Sequence, residues 1–136
     1  MEFLDTNVLV YAASHQVGDR AKTAVARSLI RYEQQAISLQ VLQEFFNVAR
    51  NPRKLALSYD EVVEFCTGWR RFTVLEPTLA LFDDALRLVD RFQVSYYDAA
   101  ILAAARKLKC TVVHSEDLND GQDYLGVRVS NPFRDL

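Results

Sequence analysis

Four carboxylates, Asp5, Glu44, Asp98 and Asp117, are the side chains of this sequence best suited to chemistry, and they are scattered along nearly its whole length. Asp5 closes the apolar opening "EFLD". Glu44 sits in "QVLQEFFNVAR", Asp98 near the start of "YYDAAILAAA", and Asp117 in "SEDLNDGQD", one residue after "CTVV". Taken singly, Asp5 can be a helix cap, Asp98 half of a capping box and Asp117 a turn residue. Gathered in one place they would do something else. Like charges a few Å apart raise each other's pKa until a counterion arrives. Oxygen-only ligands select a hard divalent cation, so Mg²⁺ is expected, with Mn²⁺ as a substitute. Such a centre suits phosphoryl chemistry, because the cation polarises a phosphate oxygen and activates water for attack.

Whether the acids meet depends on the elements that carry them. Short apolar runs predict strands at 2–4, 36–39, 72–75, 111–114 and 127–130. Helical periods fill the gaps at 6–13, about 19–34, 40–50, from Ser58 onward, at 78–92 and after Ser95. Ala24, Leu29 and Ile30 are expected inward on the second of these helices. Leu42, Phe45, Phe46 and Ala49 should line the third, and Phe82, Ala85, Leu86 and Val89 the fifth, where Asp83 can pair with Arg87. Ser58 with Glu61, and Ser95 with Asp98, have capping-box spacing. Strands alternating with helices imply an α/β fold, a three-layer α/β/α sandwich on a short five-stranded, mainly parallel sheet.

In right-handed crossovers, each helix starts near the carboxyl edge of the sheet. Asp5 follows the first strand, Glu44 lies early in the helix leaving the second, and Asp98 lies in the first turn of the helix entering the fourth. Asp117 comes just after that strand. All four are thus expected at one rim, where open α/β sheets bind ligands. Glu44 is the most telling. Val41 and Val48 flank it, while Gln40, Gln43 and Asn47 form the polar face beside it, so it is partly covered and needs a partner. Lys and Arg fall mostly on helix exteriors or far helix ends, as with Arg106, Lys107 and Lys109. Glu116 and Asp120 either assist a second metal or are solvated, and solvation is the expectation.

The rest of the composition bounds the class. A chain of 136 residues, half hydrophobic and a quarter charged, is expected to form one domain over 1–136 with a real core. A net charge of −2 excludes a globally basic nucleic-acid binder but allows a local patch. Arg50, Arg53 and Lys54 in "RNPRK" are such a patch: either phosphate contacts that read no sequence or a solvated loop. Cys66 and Cys110 have no metal or disulfide spacing and read as reduced, buried thiols of a cytoplasmic protein. Glu2 and Asp5 interrupt the opening run, which reads as neither a signal peptide nor a membrane span.

The motifs "FLDTNVLVYA", Glu44 in "QVLQEFFNVA", "SYYDAAILAAA" and "HSEDLNDGQ", with the ending "VRVSNPF", resemble PIN-domain ribonucleases. The similarity is greatest to the VapC-type toxins of bacterial toxin–antitoxin pairs. That resemblance implies that Asp5, Glu44, Asp98 and Asp117 are a catalytic quartet. Asp5 and Asp98 would be direct Mg²⁺ ligands, with Glu44 and Asp117 acting partly through water. It implies that Thr6, Asn7 and Ser115 orient the carboxylates. It also implies an RNA substrate, a homodimer and a small VapB-like antitoxin that covers the groove. Tyr97 and Ser115 depart mildly from residues frequent in relatives, which often carry Trp and Thr there.

Other readings remain: a housekeeping PIN nuclease in RNA processing, or a silent PIN module used only for binding. A dehalogenase-like phosphatase wants a second acid where this chain has Asn7, and a receiver domain wants an Asp where it has Glu76. A metal-free ribonuclease needs paired imidazoles, but the only histidines are His15 and His114, the latter expected as packing or support at a strand end.

Overall fold

Parallel pairing dominates the sheet, as expected from strands separated by helices. The structure, a computed structural model, describes residues 1–32 and 34–136. In chain order the elements are β1 (Glu2–Leu4), α1 (Thr6–Ala13), α2 (Arg20–Ile30), β2 (Gln35–Ser38), α3 (Leu39–Arg50) and α4 (Tyr59–Trp69). There follow β3 (Thr73–Leu75), α5 (Leu79–Phe92), α6 (Tyr96–Lys107), β4 (Val112–His114), β5 (Asp123–Tyr124) and β6 (Val127–Ser130). The strand order is β3-β2-β1-β4-β6-β5, parallel except for the β5–β6 pair. Register places Phe3 opposite Ala36 and Val113, so β1 lies at the centre. Helices α1 to α4 pack on one another, and α5 packs on α6.

The sheet has a sixth strand beyond the five expected. β5 is only two residues long and joins β6 through Leu125 and Gly126, which have φ of 54° and 96°. That backbone makes a tight hairpin, yet Leu at its first position carries none of the Asn-Gly or Asp-Gly signal that announces one. The second helix ends at Ile30, and its expected extension through Glu33 lies outside the described residues.

Several faces differ from expectation. Ala24 is exposed, whereas Thr23 and Ala26 are buried. Phe46 is partly open on α3 while Phe45 is fully buried. On α5, Ala85 is buried as expected and Val89 packs partly buried against the core, but Phe82 and Leu86 are each 45% exposed, and Leu88 is fully buried. The expected Asp83–Arg87 pair is replaced by Asp84–Arg87, three residues apart. Both cysteines are free, but Cys66 is only half-buried. The capping box at Ser58 and Glu61 forms in full. Among the described residues, no helix is long and apolar enough to cross a membrane.

The core joins the sheet to both helix groups. Phe45 meets Trp69 edge-on at 4.6 Å between ring centroids and Phe65 at 6.2 Å, fastening α3 to α4. On the other side, the run from Ala99 to Ala105 is buried, and its small side chains let α6 approach its neighbours closely. Because α3 carries Glu44, its seating controls the site. Phe45→Ala should destabilise the protein by about 3–5 kcal/mol, measured as a lower urea midpoint at unchanged slope. A loss under about 1 kcal/mol would show that this aromatic cluster does not hold α3.

Candidate metal centre

Asp5 occupies the junction between β1 and α1, where its backbone N–H donates to the His114 carbonyl at 3.1 Å. The residue is 5% exposed. One carboxylate oxygen accepts from the Thr6 N–H at 2.7 Å, and the other accepts from the Ser115 hydroxyl at 2.7 Å. Asp5 therefore caps α1, but the cap accounts for only half of its bonding. Burial pushes its pKa from 3.8 up to about 7; the two hydrogen bonds pull it down, and the charges of Asp117 and Glu44 push it further up.

Ser115 is fully buried and links the group. It donates to Asp5 and accepts from Asn7 Nδ2 at 3.3 Å and from the Asp117 N–H at 3.1 Å. Asn7 Nδ2 also lies 3.2 Å from Asp117 Oδ2. Glu44, half-buried on α3, accepts from the Thr6 hydroxyl at 2.9 Å and from Gln40 Nε2 at 2.6 Å. Thr6, Asn7 and Ser115 thus tie Asp5, Glu44 and Asp117 into one hydrogen-bonded network.

Asp98 joins it differently. Only the Ser95 half of its capping pattern is seen in the α6 cap, with the Asp98 N–H donating to Ser95 Oγ at 3.2 Å. Burial raises the Asp98 pKa, Ser95 lowers it, and the charges of Asp117 and Glu44 raise it again. Gln40 also donates to the Tyr97 carbonyl at 3.4 Å, linking α3 to the residue before Asp98. Gln40 was legible only as part of a polar face, although its position four residues before Glu44 is the spacing that lets it bond.

An open groove of about 710 Å³ runs along α3 from Glu44 past Asn47 to Arg53 and Lys54, with Asn7 and Asp117 on its other wall. Arg53 and Lys54 therefore face the acids' groove. Arg50 does not line it; one of its guanidinium nitrogens donates to the Leu57 carbonyl at 3.2 Å. Glu116 and Asp120 are not simply solvated. Glu116 bonds to Tyr11 and Lys22, and Asp120 accepts from the Asn131 N–H at 2.7 Å. His114 is buried with Nε2 2.7 Å from Glu2 Oε2, so its ring pairs with Glu2 rather than with the acids.

Among the described residues, none of the four acids has a Lys or Arg ion-pair partner. Equally, among the described residues no group of three or more acidic, histidine or cysteine side chains is positioned to hold a metal ion as it stands. The donor chemistry nevertheless fits a hard divalent cation. The Asp5 and Asp98 carboxyls are raised by burial and by the charges of Asp117 and Glu44, the donors gathered there are oxygens, and Glu44 and Asp117 line the open groove.

The PIN domain family model matches residues 3–119, most of the chain. The chain belongs to the PIN family. Membership supports a nuclease activity in general terms. No curated protein matches the chain. Among solved structures, this PIN fold is similar to a toxin–antitoxin complex from Klebsiella pneumoniae, at 19% identity and a TM-score of 0.72, covering 98% of both chains. It is similar to Mycobacterium tuberculosis VapC20, described as a toxin that cleaves the sarcin–ricin loop, at 21% identity and a TM-score of 0.69. There the likeness covers 94% of this chain and 99% of that one. FitAcB from Neisseria gonorrhoeae, at 21% identity and a TM-score of 0.64, covers 98% and 99%. At such identities the likeness shows the fold.

The Asp5 shift has a consequence for stability. The unfolded carboxyl loses its proton near 3.8 and the folded one near 7. The stability gained by keeping Asp5 neutral is full below 3.8 and is lost as pH rises through 7. At about 1.36 kcal/mol per unit, the loss is up to about 4 kcal/mol. Urea denaturation of metal-free protein should show Asp5→Asn gaining on wild type by that order between pH 4 and pH 7.5. A difference that stays flat with pH would contradict the buried, neutral Asp5.

Proposed function

We propose that residues 1–136 act as one divalent-metal-dependent endoribonuclease domain, the toxin of a VapBC-like pair. The observation that carries this reading is a buried, pKa-raised Asp5 networked to Glu44 and Asp117, with Asp98 within their electrostatic reach, in a PIN chain. When bound, Mg²⁺ or Mn²⁺ would polarise a phosphate oxygen and lower the pKa of a coordinated water. Asp5 and Asp98 would hold the cation directly, and Glu44 and Asp117 would hold its waters. Thr6, Asn7, Ser115 and Gln40 keep those carboxylates oriented. Arg53 and Lys54 are placed along the groove to hold the RNA backbone.

The toxin role draws on the relatives' descriptions as a VapC toxin and as toxin–antitoxin complexes. A cognate antitoxin would act by covering the groove. A homodimer is supported by an exposed apolar face on α5 and α6, where Phe82, Tyr96 and Tyr97 form a continuous aromatic row beside Leu86. The expected location is the cytoplasm.

Purified protein should cleave single-stranded or loop RNA with Mg²⁺, and excess EDTA should abolish cleavage. Asp5→Asn and Asp98→Asn should each lower the rate more than about a hundredfold while circular dichroism stays native. Full activity in EDTA, or unchanged turnover in both variants, would refute the metal centre. Expression of the chain alone should arrest growth, and the quartet variants should not. A harmless wild type at high expression would favour a housekeeping PIN nuclease.

A further inference from the structure

Glu116 lines the groove with Glu44 and Asp117, is adjacent in sequence to Asp117, and has both of its oxygens already taken by protein donors. The Tyr11 hydroxyl donates to one at 2.6 Å, and the Lys22 ammonium donates to the other at 3.0 Å. Lys22 also donates to the Tyr11 hydroxyl at 3.1 Å, which closes a three-membered cycle. The ammonium lies 4.7 Å from the Tyr11 ring centroid and 5.7 Å from that of Phe133. The two rings meet edge-on at 4.9 Å. Side-chain exposure is 31% for Lys22 and 24% for Glu116, so the pair is partly desolvated and held from several sides. Four separate segments build it: α1, α2, the loop after β4 and the C-terminal turn.

We propose that Lys22, clamped by Tyr11, withholds Glu116 from the metal centre and limits that centre to one divalent ion. The inference rests on the metal-dependent reading above and adds its stoichiometry. Two-metal phosphodiester centres hold ions about 3.5–4 Å apart and need extra carboxylate oxygens to do so. Asp117 is fixed by Asn7, whose side-chain oxygen also accepts from the Glu116 N–H at 3.4 Å. The same loop therefore presents one acid to the quartet and turns its neighbour to a resident cation. For Glu116 to become a ligand it must break two hydrogen bonds and leave an ammonium beside an incoming dication. Mg²⁺ dehydrates reluctantly and demands near-ideal octahedral geometry, so it does not force that exchange.

The test is Mn²⁺ binding to metal-free full-length protein, read by calorimetric stoichiometry and by electron paramagnetic resonance. Wild type should bind one ion per chain. Lys22→Met, which keeps the aliphatic stem and removes the charge, should bind two with spin–spin broadening. Lys22→Met combined with Glu116→Gln should return to one. One ion in both wild type and Lys22→Met overturns the clamp and leaves the metal reading intact. Two ions in wild type also overturn it. No ion in wild type defeats the metal reading itself, and the clamp with it. Where Lys22→Met fails to fold, Lys22→Gln takes its place and is read against the same outcomes.

Discussion

A carboxylate buried without a cation is the constraint on which the rest of the structure turns. Asp5 lies at the centre of the sheet's carboxyl rim, and the chain supplies it with two hydrogen bonds but no positive charge. Burial then favours the protonated form, and the nearby charges of Asp117 and Glu44 deepen the effect. A fold seeking stability alone would place an apolar side chain or an Arg partner there. Keeping the acid, and fixing it through the fully buried Ser115 hydroxyl, makes sense when a counterion arrives from solution.

Topology does the gathering. β1 at the centre of the sheet puts Asp5 between the loop after β4 and the start of α3, so one rim receives residues from widely separated segments. The supporting polar groups come from the same junctions. Thr6 and Asn7 are the first residues of α1, and Ser115 follows β4 directly. The aromatic packing under α3 and the alanine-rich α6 hold Glu44 and Asp98 on rigid helices rather than loops. The clamp around Glu116 applies the opposite treatment to the adjacent acid, which is neutralised internally by Lys22. One loop thus carries a carboxylate bonded only by neutral groups, Asp117, beside one paired with a cation, Glu116.

The parallel strands and the rim acids were legible because they depend on short-range patterns: apolar runs, helical periods and the rule of right-handed crossovers. Glu44 was readable from its offset toward Val41 and Val48. The edges of the buried face of α5 were not, because Leu81, Phe82, Ala85, Leu86, Leu88 and Val89 make one broad apolar side of that helix. Only packing against α6 selects Ala85 and Leu88. The β5–β6 hairpin was hidden by Leu125 in a left-handed position that sequence rules reserve for Asn, Asp or Gly. Asp98 was expected at the rim, but its spacing from Ser95 could not say whether its carboxylate closes a capping box, and only the Ser95 half is seen. The Lys22–Glu116 contact spans the chain from α2 to the loop after β4, and no local pattern announces a pairing of that kind.

Anomalous diffraction from crystals soaked in Mn²⁺ examines the shared centre most directly. A single peak should appear within about 2.0–2.3 Å of oxygens from both Asp5 and Asp98, with Glu44 and Asp117 reaching it directly or through water. A peak elsewhere, or none at millimolar Mn²⁺, would contradict the claim that these distant acids serve one cation.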